Sequence, residues 1–181
     1  NGFPQSAPGK RGWLRLLAAL AALVALGFVL WPPHAPLDKS NLIGYAICHQ
    51  IPERSFHLDG HRLPLCARCT GTYLGVAAGL GAILLLRRGR AGEMLSTGML
   101  VLMAAFIAVM GVDGANSYFY LLAGRTLLYQ PQNWLRAVTG GLNGIALVMI
   151  VLPVLNFTLW KQTRPQRPLR RIWELALPLV L

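Results

Sequence analysis

Apolar residues run almost unbroken from Trp13 to Trp31, with Arg15 as the one charge near the start, and the run closes at Pro32-Pro33. Proline offers no amide to the next turn and ends a helix. A bilayer core of about 30 Å needs about 20 apolar helical residues, so this run predicts a first membrane-spanning helix. A second begins at Gly71 and stops at Arg87-Arg88, a third covers Met94 to Val112, and a fourth covers Ala137 to Trp160 with Pro153 inside it as an expected kink. The second is short, but terminal arginines extend a span by snorkelling. Ile172 to Leu181 reads as the opening of a fifth. The pattern predicts an all-α membrane protein: a bundle of four transmembrane helices plus a truncated fifth, with an extracytoplasmic cap of Cys and His residues on loops.

Composition sharpens that picture. Hydrophobic residues make up 55% of the 181 and charged residues 13%, and mean hydropathy is +0.50, which excludes a soluble globular protein. Lys and Arg number 17 against 6 Asp and Glu, but they punctuate apolar runs instead of covering a polar face. They therefore read as membrane topology signals, with the lipid bilayer as partner and no nucleic acid.

With the N-terminus inside, the inner side carries Lys10, Arg11, Arg15, Arg87, Arg88, Arg90, Lys161, Arg164, Arg167, Arg170 and Arg171. The outer side carries Lys39, Arg54, Arg62, Arg68, Arg125 and Arg136. The larger inner set predicts an integral cytoplasmic (inner) membrane protein with its N-terminus inside. The outer loops are then residues 32–70 and 113–135, both long for connectors. Residues 1–11 are expected as a disordered or partner-bound lead-in and residues 12–181 as one transmembrane domain. Beginning at Asn1 and stopping in an apolar stretch at Leu181, the chain is expected to be a fragment of a longer precursor.

Gly71, Gly75 and Gly79 recur every fourth residue in the second span, and Gly140 and Gly144 do so in the fourth. Small residues at that spacing let helix backbones approach closely in lipid, so these glycines are the expected packing seams.

The three cysteines all fall in the first outer loop, as Cys48-His49 and Cys66-Ala67-Arg68-Cys69. Cys-x-x-Cys brings two sulfurs to one centre, and Cys48 with His49 completes a Cys₃His set, a closed zinc composition. The stretch from Leu65 to Gly71 reads as a metal knuckle whose amides point back at the Cys66 sulfur, with Thr70 as N-cap of the second span. Arg54, Arg68 and the helix N-terminus favour the negative charge of such a centre. A Cys66–Cys69 disulfide or dithiol is the competing chemistry; a thiol relay normally uses two cysteine pairs, and this chain has one spare cysteine. An iron–sulfur cluster or a quinone is a lesser expectation. Thr70 follows Cys69 where a covalent haem would need His, which excludes c-type attachment. His57 and His61 read as solvated loop histidines, and His34 carries no signal of its own.

The blocks from Cys48-His49-Gln50-Ile51-Pro52-Glu53-Arg54-Ser55-Phe56 and from Pro64-Leu65-Cys66-Ala67-Arg68-Cys69-Thr70-Gly71-Thr72-Tyr73-Leu74-Gly75 closely resemble the signature of a prokaryotic membrane family, the domain of unknown function 2085 family. The resemblance continues through Asp113-Gly114, Asn133-Trp134-Leu135-Arg136 and Thr139-Gly140, and so covers Tyr45 to Gly144. It departs at Asn116, where the pattern has Gln, and His57 and His61 fall outside it. The resemblance implies a small multi-pass membrane protein with no established activity.

Topology places Glu53, Arg54, Arg68, Asp113, Asn133 and Arg136 at the same outer interface as the cysteines. A carboxylate at the membrane edge is costly unless paired, so Asp113 is expected to pair with Arg136, Arg54 or Arg68. A closed four-ligand metal has no position for substrate, which favours a non-catalytic protein. Its metal-fastened cap would dock other membrane protein subunits, as an accessory or assembly subunit of an electron-transport or photosynthetic complex. The alternative is a membrane thiol–disulfide oxidoreductase using Cys66 and Cys69, with Cys48 as resolving thiol and a quinone between the spans.

Overall fold

A computed structural model describes residues 10–32, 36–159 and 164–181. The expected lead-in therefore lies outside the described residues up to residue 9, as do Pro33, His34 and Lys161. The helix α1 spans Lys10–Leu30, so it begins inside the stretch expected as lead-in. The chain divides into two units, Asn1–Ile43 and Gly44–Leu181. In the first, Lys39 donates its ammonium to the carbonyl of Phe28 at 2.7 Å and to that of Val29. These are end carbonyls of α1, which have no partner within the helix.

The expected outer loop of residues 32–70 is largely structured. It contains the helix α2 at Pro36–Ile47, a 3-10 turn at Pro52–Arg54, and the strands β1 at Ser55–Leu58 and β2 at His61–Cys66. The strands pair antiparallel, with Ser55 opposite Cys66 and Leu58 opposite His61. Asp59 and Gly60 turn the hairpin with φ of 48° and 78°, the left-handed conformation that a two-residue hairpin loop demands.

Three long helices make up most of the second unit: α3 at Ala67–Leu85, α4 at Thr97–Ala123 and α5 at Asn133–Leu159. With α1 they are, among the described residues, the four helices long and apolar enough to cross a membrane. α3 begins four residues before the expected Gly71, because Cys66 ends the strand in extended backbone (φ −65°, ψ 156°) and is itself the N-cap. Thr70 is thus not the cap; it lies in the first turn, and its hydroxyl donates to the Leu65 carbonyl at 3.5 Å.

α4 runs eleven residues past the expected end at Val112, so Asp113 lies within the helix and does not close it. Asp113, Asn116 and Ser117 are buried there and have polar partners from other elements, which removes the reason to end a helix at its first charge. Gly124 (φ +64°) ends it, donating its amide to the Tyr120 carbonyl at 3.0 Å. α5 starts at Asn133, four residues before the expected Ala137, and carries the buried Pro153.

α3 and α5 run parallel in near backbone contact. A Cβ on Gly71 would strike the Ala137 carbonyl oxygen and one on Gly75 that of Gly141. Reciprocally, a Cβ on Gly140 or Gly144 would strike the carbonyl oxygen of Arg68 or Thr72. Gly79 is looser, with Val148 Cβ at 3.3 Å. α4 packs antiparallel on α5. Its start supplies Met99 and Met103 to an apolar core with Ile83, Ile145 and Met149. Its later turns supply Asp113 and Ser117 to a polar core with Arg136 and Thr139.

The tail expected to open a fifth span forms a 3-10 turn at Ile172–Leu175 and the short helix α6 at Ala176–Val180. Glu174 receives two hydrogen bonds from Arg88, at 2.5 and 2.9 Å, and Asn156 donates to the carbonyls of Gly89 and Ala91. These contacts close the end of the unit opposite the cysteines.

Candidate metal centre and the polar core beneath it

The hairpin and the start of α3 bring separate pieces of chain together. Cys48 follows α2, Cys66 ends β2, and Cys69 sits in the first turn of α3. Their three Sγ atoms all lie within 4.8 Å of one another. Cys48 is buried and the other two are half-buried. Zinc–sulfur bonds of about 2.3 Å in tetrahedral geometry put sulfurs about 3.8 Å apart, so the cluster is of a size to close on one ion. Three sulfur donors suit a soft or borderline metal.

Amides do point at a sulfur, but at that of Cys48 instead of the expected Cys66. The Gln50 amide lies 3.4 Å from Cys48 Sγ and the Cys66 amide 3.2 Å from it. Gln50 reaches this position with φ of 48°, a left-handed turn that swings its N–H back. Burial pushes the Cys48 thiol up, but the amides of Cys66 and Gln50 and the neighbouring thiols together outweigh it, and the net direction is below the ordinary thiol value.

His49, the expected fourth ligand, is exposed, and its ring is not among the donors gathered with the three sulfurs. The chain turns at Gln50 (φ 48°), with Cys48 buried and His49 exposed just before it. His57 and His61 are exposed on the hairpin strands.

Gln50 is a site residue that composition and spacing did not single out. Its side chain donates to the Pro64 carbonyl at 2.6 Å, and its own carbonyl and Oε1 accept from Arg62, the latter at 3.2 Å. Gly44 leaves the room for this strap: a Cβ there would strike the Pro64 carbonyl oxygen. Its one sequence signal was its place in the Cys48-His49-Gln50 block of the family resemblance, which gives it no role.

Below the sulfurs lies a charged core. Asp113, 1% exposed, pairs with Arg68, which lies between Cys66 and Cys69 in their turn. Its Oδ1 accepts the Tyr129 hydroxyl at 2.7 Å, and its Oδ2 accepts that of Thr139 at 3.4 Å. Arg136 does not pair with Asp113 as its first partner; it donates to Asn133 Oδ1 at 2.7 Å and to Ser117 Oγ at 3.4 Å. Arg54 donates to the Ser117 carbonyl at 3.2 Å. Asn133 ties α5 to the hairpin by donating to the carbonyls of Glu53 and Ser55 at 3.3 and 3.1 Å. Glu53 contributes that backbone oxygen and is exposed.

Asn116, at the departure from the expected pattern, holds the loop after α4. It donates to the Tyr129 carbonyl and accepts the Leu128 amide, each at 2.9 Å. Tyr129 thereby docks beside Asp113, and burial, the hydrogen bond to Asp113 and the carboxylate's charge push its phenol up to about 12. Tyr129 and Ser117 were not foreseen, and Thr139 was named only within the family resemblance, although a buried carboxylate with several lone pairs to satisfy implies such donors.

Comparison with known proteins places residues 48–150 in a match to a family described as predicted membrane protein, domain of unknown function 2085. An uncharacterised protein of Methanocaldococcus jannaschii is 32% identical over 116 residues, 64% of this chain and 68% of that protein. An uncharacterised protein of Methanothermobacter thermautotrophicus is 62% identical over 29 residues, 16% of this chain and 26% of that protein. No solved structure matches the chain.

Proposed function

This chain belongs to that family of predicted membrane proteins, and on this premise we propose that Cys48, Cys66 and Cys69 hold a zinc ion that fastens the hairpin cap to the helices at one membrane interface. The observation that carries the reading is the third sulfur. A dithiol needs only Cys66 and Cys69, yet Cys48 lies within 4.8 Å of both and has two amides aimed at it, the setting of a stabilised thiolate.

Charge supports it as well. Three thiolates around a divalent ion leave one negative charge. Arg54, Arg68 and Arg136 against Asp113 leave a net positive charge beside it, and Arg136 lies within electrostatic reach of Cys66. Each of these charges would be costly alone at the membrane edge. Zinc held here would supply a rigid cross-link between the segment after α2 and the turn joining β2 to α3; Arg68, fixed by Asp113, orients the turn that carries two of the ligands.

The cap is proposed to lie on the extracytoplasmic side of the cytoplasmic membrane. Arg54, Arg68 and Arg136 are engaged in the polar core, so the retained loop charge falls still more heavily at the opposite end. Exposed Trp134 and Tyr118 suit the interface at the level of the cap. The proposed role is non-catalytic: the fastened cap serves as an assembly surface for another membrane subunit.

Elemental analysis with thiol titration on the purified chain tests the metal reading. The expected result is one zinc per chain, with thiols that react only after chelation. A reducible Cys66–Cys69 bond with no metal overturns it in favour of thiol–disulfide chemistry.

A further inference from the structure

Gln50 stands in the left-handed conformation, φ 48°, although it carries a side chain. That conformation crowds a Cβ against the backbone and persists in a residue other than glycine only where the surroundings hold it. Three hydrogen bonds hold it here. The side-chain amide donates to the Pro64 carbonyl at 2.6 Å, and the two terminal nitrogens of Arg62 donate to the Gln50 carbonyl and, at 3.2 Å, to its Oε1. Gln50 is buried and Arg62 half-buried. Gly44 of α2 completes the arrangement, because a Cβ there would strike both the Pro64 carbonyl oxygen and Gln50 Nε2.

The two amides on the Cys48 sulfur have different supports. That of Cys66 belongs to the end of β2, where Cys66 pairs with Ser55. That of Gln50 lies outside any helix or strand, 3.4 Å from the sulfur, so the conformation of Gln50 itself sets its direction. We propose that Arg62 is a positioning residue of the metal centre: by fixing the carbonyl and side chain of Gln50, it keeps the Gln50 N–H on the Cys48 sulfur and so raises the affinity for the metal. The inference rests on the metal reading above. A hydrogen bond to a ligand sulfur orients it and draws off part of its negative charge, and loss of such an outer-shell partner typically costs about 10–100-fold in metal affinity. Arg62 acts through Gln50 with a fork of two N–H donors, a geometry that a lysine ammonium does not reproduce.

Cobalt(II) absorption and zinc competition on the full chain in detergent micelles test it. Arg62→Ala and Gln50→Ala are expected to weaken zinc binding about 10–100-fold and to move the sulfur-to-cobalt charge-transfer band to lower energy, because the Cys48 sulfur has lost an N–H. Gln50→Gly enters the left-handed conformation freely and is expected to fall between Gln50→Ala and the native chain in both readouts. Arg62→Lys, with the charge but not the fork, is expected to shift both in the same direction by less, and it is read in the same way where Arg62→Ala does not fold. Native affinity and a native band in the Arg62 and Gln50→Ala variants overturn the inference while the metal reading stands. Weakened binding with an unmoved band overturns it too, since a loss of fold stability alone does that. A native chain that binds neither cobalt nor zinc fails the metal reading itself, and this inference with it.

Discussion

The Cys66 amide points at the sulfur of Cys48 at 3.2 Å, across eighteen residues of chain. That contact joins the end of β2, where Cys66 pairs with Ser55 across the hairpin, to the segment after α2. Cys48 is therefore the residue on which the cluster depends. Cys48→Ser is expected to lower zinc affinity by more than the roughly 10–100-fold typical of outer-shell changes. Metal content after dialysis against a graded chelator series measures it; retention of zinc at wild-type chelator concentrations would show that Cys48 is not a ligand.

Asp113 carries the charge balance of the polar core. Asp113→Ala leaves Arg68 and Arg136 facing each other near the membrane edge, and breaking a buried pair in this way costs about 3–5 kcal/mol. Arg68 keeps some solvent access, which puts the expected loss near the lower end. Denaturant unfolding in detergent checks it, and a loss under about 1 kcal/mol would mean that water reaches the site freely.

Tyr129 gives a pH signature. Its phenol is raised to about 12 from the ordinary value near 10, so the neutral form is the one the fold favours. The stability this contributes is fully present below pH about 10 and is lost as pH rises toward 12. Ultraviolet titration should show one phenol ionising near 12 that is missing in Tyr129→Phe. If the phenol removed by that substitution ionises near 10, Tyr129 does not sit against Asp113.

The helix seam makes a contrast between glycines. Gly144→Ala drives a Cβ into the Thr72 carbonyl oxygen, and overpacking of this kind costs about 1–3 kcal/mol. Gly98→Ala, in α4 with nothing within 4 Å of the added carbon, should be neutral or stabilising by up to about 1 kcal/mol through helix propensity. Thermal unfolding of the two variants side by side checks the pair, and equal effects would mean that α3 and α5 are not in backbone contact.

Membrane residence, the number of long helices and the glycine seam were legible in the sequence, because each is written locally: a run of apolar residues, a proline, a four-residue repeat. The gathering of Cys48 with Cys66 and Cys69 was legible in outline, since three cysteines within one short polar stretch have few other destinations. What misled was boundary chemistry. Asp113 looked like a helix end, but its charge is met by Arg68, Tyr129 and Thr139 from other elements, so α4 passes through it. Thr70 looked like a cap, but the hairpin delivers an extended Cys66 to that place.

By itself the sequence determined that this chain lies in a bilayer and that its polar chemistry collects around the cysteines, because hydrophobic burial and chain length decide those matters residue by residue. The tertiary structure alone decided which partner each polar group takes. Arg68 rather than Arg136 pairs with Asp113, Gln50 straps the hairpin, and His49 lies exposed outside the sulfur group, each fixed by the packed positions of the helices and the hairpin. Hydrogen bonds and ion pairs are short and directional, so their choice of partner waits on distances that only the packed helices set.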